Sequence, residues 1–76
     1  MIEKPDTEAS GASNNYKKNI SEGNCKEWCS NETRCVSAMY QQSKDNGICF
    51  IYYKKPQTAG KNGYKVFMKE NITSSG

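Results

Sequence analysis

The chain has 76 residues, a formal net charge of +3 and no histidine, with 34% of its residues apolar and 25% charged. At this length a hydrophobic core alone is marginal, so a single domain needs covalent help or a partner to hold one fold. The basic charge is mild and dispersed, unlike the dense Lys/Arg stripe of a nucleic-acid binder, and no apolar run reaches membrane-spanning length.

Residues 1–15 are polar, contain Pro5 and Gly11, and read as a weakly structured segment or an edge strand over Ile2 to Ala9. The opening MIEKPDTEAS lacks the hydrophobic stretch of a secretory leader. A secreted chain of this kind is expected to be a module cut from a longer protein, with Met1 as a start codon, or one whose leader is gone. Residues 16–20 (YKKNI) read as a short extended piece. Ser21 is a helix N-cap candidate, with Glu22 in the first turn where negative charge is favoured. A helix over 22–31 follows, with Cys25, Trp28 and Cys29 at the i, i+3, i+4 spacing of one buried stripe. Lys26, Glu27 and Ser30 are expected to face water.

A turn through 31–34 leads to a strand over 35–40, where Val36, Ala38 and Tyr40 alternate with Ser37, Met39 and Gln41. Ser43-Lys-Asp-Asn-Gly47 is turn chemistry. Residues 48–54 (ICFIYYK) form the clearest strand, dense in aromatic and β-branched side chains. Cys49, Ile51 and Tyr53 share one face, and Phe50 and Tyr52 the other. A polar loop is expected over 55–63. The last strand, 64–69, puts Tyr64, Val66 and Met68 on one face and Lys65, Phe67 and Lys69 on the opposite one. The sum is an α+β domain, one short helix packed on an antiparallel sheet of three to five strands.

The cysteines decide what the domain is for. Successive gaps of three, five and thirteen residues do not make the paired thiolates of a zinc site. There is no Cys-x-x-Cys pair, and without histidine a cysteine or serine nucleophile lacks its usual base. The eight acidic residues show no catalytic pairing. Structural disulfides remain, and an even count in a short chain is the expected signature of an oxidising compartment. Cys25 and Cys29 sit one helical turn apart with near-parallel side chains, a poor geometry for a bond between them. The turn after the helix returns the chain to Cys29, so the pairing expected is Cys29–Cys35 and Cys25–Cys49. Three triplets, beginning at Asn19, Asn31 and Asn71, fit the N-glycosylation acceptor pattern.

Several residues are candidates for recognition. Tyr52, Tyr53 and Tyr64 offer flat apolar faces with polar edges, suited to sugar or peptide. Lys54 and Lys65 lie among the lysines of the last two strands and their connecting loop. Charge there serves an anionic ligand, or simply keeps an edge from pairing.

The stretches Cys25-Lys-Glu-Trp-Cys29, Cys35 with Ala38 and Tyr40, Cys49-Phe-Ile-Tyr-Tyr-Lys54 and Gly63-Tyr-Lys-Val-Phe-Met-Lys69 belong together. In that order and spacing the chain resembles the PAN/apple superfamily, in particular the four-cysteine PAN type of apicomplexan adhesins and other extracellular proteins. The resemblance covers Tyr16 to Lys69. It implies a disulfide-stapled domain over 16–70, with 71–76 as a C-terminal linker. Six-cysteine members join their termini by a third bond. This chain has no cysteine near either end, so looser termini are expected. The function implied is binding or adhesion, not catalysis. The ligand implied is a protein or glycan on a cell surface or in the extracellular space, met by a module of a larger secreted or surface protein. No cofactor, nucleic acid or direct membrane insertion is implied. Two other readings stay open: a free-standing secreted effector of toxin-like or inhibitor-like type, and a structural spacer.

Overall fold

The computed structural model describes residues 2–43 and 46–69. The Asn71 acceptor triplet, the 71–76 linker and part of the 43–47 turn lie outside the described residues. In chain order the elements are β1 (Ile2–Ala9), β2 (Asn15–Lys18), α1 (Glu22–Asn31), β3 (Ser37–Gln41), β4 (Ile48–Tyr52) and β5 (Thr58–Met68). The five strands form one sheet in the order β1-β5-β3-β4-β2, antiparallel throughout, with α1 packed on one face. This is the expected α+β class, with five strands.

The helix starts and stops for local reasons. Ser21 is extended, and its hydroxyl accepts from the Asn24 amide at 3.2 Å, which satisfies one of the free donors of the first turn. At the other end the Glu32 amide donates to the Cys29 and Trp28 carbonyls. The last turn carries no basic residue of its own. A remote cation takes that place: the Lys69 ammonium donates to the carbonyls of Cys29 (3.1 Å) and Glu32 (2.9 Å). Lys65, on the same strand face, reaches the other end of the helix and pairs with Glu22 at 3.0 Å. Lys65 in β5 and Lys69, one residue past its end, thus hold α1 at both ends.

Two apolar clusters lie on the two faces of the sheet. The helix side buries Cys25, Cys29, Cys35, Ala38, Tyr40, Cys49, Ile51 and Phe67, with Ile20, Trp28 and Tyr53 packed against them. Cys25 is bonded to Cys49, which ties the helix to β4, and Cys29 to Cys35, which ties the helix to the chain entering β3. Lys26 was expected to face water. It is half-buried, with its ammonium 5.4 Å from the Phe67 ring centre, because its aliphatic stem covers apolar surface while the charge stays near solvent. The second face buries Ala9, Met39, Tyr52 and Val66, with Phe50, Tyr64 and Met68 around them. The face assignments read from alternation therefore hold for β4 and β5.

The expected loop over 55–63 is corrected in its second half, since β5 begins at Thr58. Thr58-Ala-Gly-Lys-Asn-Gly63 has poor strand propensity, but its first three residues pair with β1, matching Thr7 to Gly60 and Ala9 to Thr58. Strand formation follows the partner more than the segment's own composition. The register shifts between Pro5 and Thr7, where β5 carries the extra residues. Asp6 (φ 50°) and Gly63 (φ 89°) take left-handed conformations there. Pro5 is tolerated because β1 is an edge strand. The strands expected over 35–40 and 48–54 are displaced or shortened, so that Cys35 precedes β3 and Tyr53 follows β4.

One glycine is fixed by its surroundings. Gly47 has φ 101°, and a Cβ there would run into the Ile20 carbonyl and the Tyr40 hydroxyl. Those two groups are hydrogen-bonded to each other at 2.7 Å, and the Ile20 amide donates to the Gly47 carbonyl. The turn chemistry of Asn46-Gly47 thus also closes the entry to the helix.

A groove on the helix-free face

β1 and β2 lie at opposite edges of the sheet, and only residues 10–14 connect them. The connection crosses the face away from α1. It is anchored at each end. Ser10 donates its amide to the Gln57 carbonyl, and Asn14 donates to the Ile51 carbonyl while its side-chain oxygen accepts from the Tyr53 amide at 2.8 Å. The Ala9 amide, arriving over the same face, points at the Met39 sulfur at 3.2 Å.

Between this strap and the sheet lies an open concavity of about 530 Å³. Its floor is Met39, Phe50 and Tyr52, its wall is Tyr16, and its rim is the strap with Ser13, Asn14 and Asn15. Register explains the floor, because Met39 pairs with Phe50 and Phe50 pairs with Tyr16 across three adjacent strands. Directly opposed residues of antiparallel strands point to the same face. The Tyr16 and Phe50 rings stand 6.1 Å apart and tilted by 36°. Tyr16 remains 53% exposed, unusual for a large aromatic in a chain this polar. The side-chain oxygens of Asn14 and Asn15 are taken by backbone amides, so these two side chains offer N–H to anything in the groove. No Asp, Glu, Lys or Arg lines it. Chemically it is a neutral, aromatic-floored cleft with amide and hydroxyl groups at its rim, the composition of a binding surface.

The candidate residues fall in different places. Tyr52 lies in the groove floor, 4% exposed. Tyr53 is on the helix side, with the Arg34 guanidinium 4.9 Å from its ring centre, and Lys54 is exposed beside it. Tyr64 and Lys65 line a separate, smaller concavity of about 150 Å³ at the β1–β5 irregularity, shared with Asp6 and Tyr40. Lys65 is ion-paired there with Glu22 (3.0 Å) and Glu3 (3.3 Å). Tyr16, Phe50 and Met39 were not singled out as site residues. The signal was present in the alternation that puts Phe50 opposite the helix face, but Tyr16 sat in a segment whose pairing partner is remote in sequence. Asn19 and Asn31 are both exposed.

Burial pushes the Tyr52 phenol above its ordinary value, and the carboxylate of Glu8 adds to the shift. The neutral phenol is the form the fold favours. Stability from this group is therefore complete below the ordinary tyrosine value and is lost as pH rises through the raised one. In an alkaline titration followed by phenolate absorbance, a late wave coinciding with unfolding is expected, and it should vanish in Tyr52→Phe. A late wave that persists in that variant would assign the shift elsewhere.

Among the described residues no group of three or more His, Cys, Asp or Glu side chains is placed to hold a metal ion, and no helix is long and apolar enough to cross a membrane. A family model described as the PAN domain matches residues 2–75, beyond both limits of the stretch on which the resemblance rests. No curated protein and no solved structure matches significantly. PAN domains are in general protein- or carbohydrate-binding modules of extracellular proteins, not enzymes.

Proposed function

The chain belongs to the PAN domain family, and on that premise we propose that it is a non-enzymatic recognition module of a secreted or cell-surface protein. It holds a protein or carbohydrate ligand in the groove of its helix-free face. The observation that carries this reading is the exposed Tyr16 ring beside Phe50, over a floor that includes Tyr52. Flat aromatic faces take up the C–H side of a sugar or an apolar peptide side chain at little entropic cost, and the amide rim fixes orientation. The smaller concavity at Tyr64 and Lys65 is less suited, because the Lys65 charge is already engaged by two carboxylates.

The test is a glycan array and a pull-down from extracellular material, each run with the whole chain and with Tyr16→Ala. Binding in either arm is expected to weaken about tenfold or more in the variant, as for an aromatic anchor. Stability should fall by only about 1 kcal/mol, since about half of the residue is already in water and the main loss is its cross-strand pair with Phe50. Undiminished binding by Tyr16→Ala would move the site off this face. Silence of the native chain in both arms would favour a spacer role.

A further inference from the structure

We propose that Asn31 is an N-glycosylation acceptor and that the first sugar of its glycan settles against Trp28, between α1 and β2. The inference concerns modification, not ligand binding, and it rests on the extracellular setting proposed above. Asn31-Glu32-Thr33 has the acceptor spacing, with a hydroxyl residue two positions on. Asn31 is the last residue of α1, and both it and Thr33 are exposed. A helical side chain leans toward the helix N-terminus, so whatever Asn31 carries is delivered over the preceding turn. Trp28, three residues back, lies there on the same helix face.

Asn31 and Trp28 line one open concavity of about 370 Å³ together with Lys17, Ile20, Asn24 and Glu27. Trp28 is only partly buried: it packs on the helix-side core, and the Lys17 ammonium sits 4.5 Å from its ring centre. What remains open is apolar indole surface beside amide and charged groups. The C–H face and N-acetyl group of a hexosamine match that mixture.

In the transfer, the Asn31 amide nitrogen attacks the anomeric carbon of a lipid-pyrophosphate-linked oligosaccharide. A C–N bond forms and the anomeric C–O bond breaks. The lipid pyrophosphate leaves with the electron pair, and the amide gives up one proton. The attached glycan shields the helix side and leaves the groove on the other face of the sheet open.

The whole chain, secreted from a eukaryotic host, is compared with Thr33→Ala. The peptide containing Asn31 is expected to carry a hexosamine-based glycan by mass, and to lose it in the variant. Trimming to the single proximal sugar should leave the Trp28 emission in place. The secreted Thr33→Ala chain, whose Asn31 stays neutral and bare, should show the emission shifted to the red and more strongly quenched by iodide. A bare Asn31 in a secreted chain with both disulfides formed overturns the inference while sparing the recognition reading. A glycan at Asn31 whose absence in Thr33→Ala leaves emission and quenching unchanged overturns the Trp28 contact. A secreted chain that keeps four free thiols overturns the extracellular setting and this inference with it.

Discussion

Replacing Cys25 with serine is expected to destabilise the domain more than replacing Cys29, by about 1 kcal/mol on loop length alone. The Cys25–Cys49 bond spans a sequence separation of 24 and the Cys29–Cys35 bond one of 6. Chain-entropy estimates assign about 3.5 kcal/mol to the first loop and about 2.4 kcal/mol to the second. Burial does not confuse the comparison, because Cys25 and Cys29 are both fully buried and lie one turn apart on the same helix. The two variants therefore introduce the same hydroxyl into similar surroundings, and the difference isolates the loops. Topology acts in the same direction. The longer bond joins α1 to β4, near the middle of the sheet, whereas the shorter one only closes the turn that leaves the helix. Against a total stability of roughly 4–11 kcal/mol for a domain of this length, the loss in Cys25→Ser is a large fraction. Urea midpoints of the two variants at equal m-value would read it. A lower midpoint for Cys29→Ser would mean that the turn, and not the helix-to-sheet link, carries the greater constraint.

What the amino-acid pattern reveals and what it hides divide along sequence distance. The helix was legible because its signals are local: Ser21 and Glu22 at one end, and the Cys25, Trp28, Cys29 stripe along it. β4 was legible because its aromatic and β-branched run has strand propensity of its own. The two faces of β4 and β5 followed from alternation. The extension of β5 back to Thr58 was not legible, because Gly60, Asn62 and Gly63 argue for a loop, and only the pairing of Thr58, Ala59 and Gly60 with β1, about fifty residues earlier, carries the strand past them. The groove was hidden for the same reason. Its wall, floor and rim come from β2, β3, β4 and the strap, brought together by a crossover whose course depends on the strand order. Alternation assigns Phe50 and Tyr52 to a face. It does not say that Tyr16 will stand beside them.

The roles of Lys65 and Lys69 were likewise set by tertiary structure. Read along the chain, they are members of a lysine-rich segment suited to an anionic ligand or to a solvated edge. In the fold, Lys65 answers the carboxylates of Glu3 and Glu22, and Lys69 completes the C-terminus of a helix that lacks its own basic residue. The Lys65 pKa is raised, first by its hydrogen bonds to Glu22 and Glu3 and then by their charge, so the cationic form is favoured through the neutral range. Lys65 in β5 and Lys69 just past it thus orient the helix by charge at both ends, while the disulfides fix its depth.

Phe67→Ala is expected to cost about 3–5 kcal/mol, the other effect large enough to threaten folding. Phe67 is the largest fully buried side chain, with none of its surface exposed, and it lies in the cluster between α1 and the sheet. Its backbone carbonyl accepts from the buried Ser37 hydroxyl at 3.1 Å, so the site is pinned and has little freedom to collapse around a void. The variant also removes the ring beneath the Lys26 ammonium. For a chain of this size the melting temperature should fall on the order of 20 °C. Phe67→Leu, which keeps most of the volume, should cost under about 1.5 kcal/mol. That contrast separates a cavity from a change of chemistry, since both variants lose the aromatic ring but only one leaves a hole. The disulfides remain closed in both, so each unfolds to the same cross-linked reference and the comparison is free of loop entropy. Equal melting temperatures for the two variants would show that the space under α1 relaxes freely. The helix would then be held by its sulfur bonds and its two lysines, not by packing on Phe67.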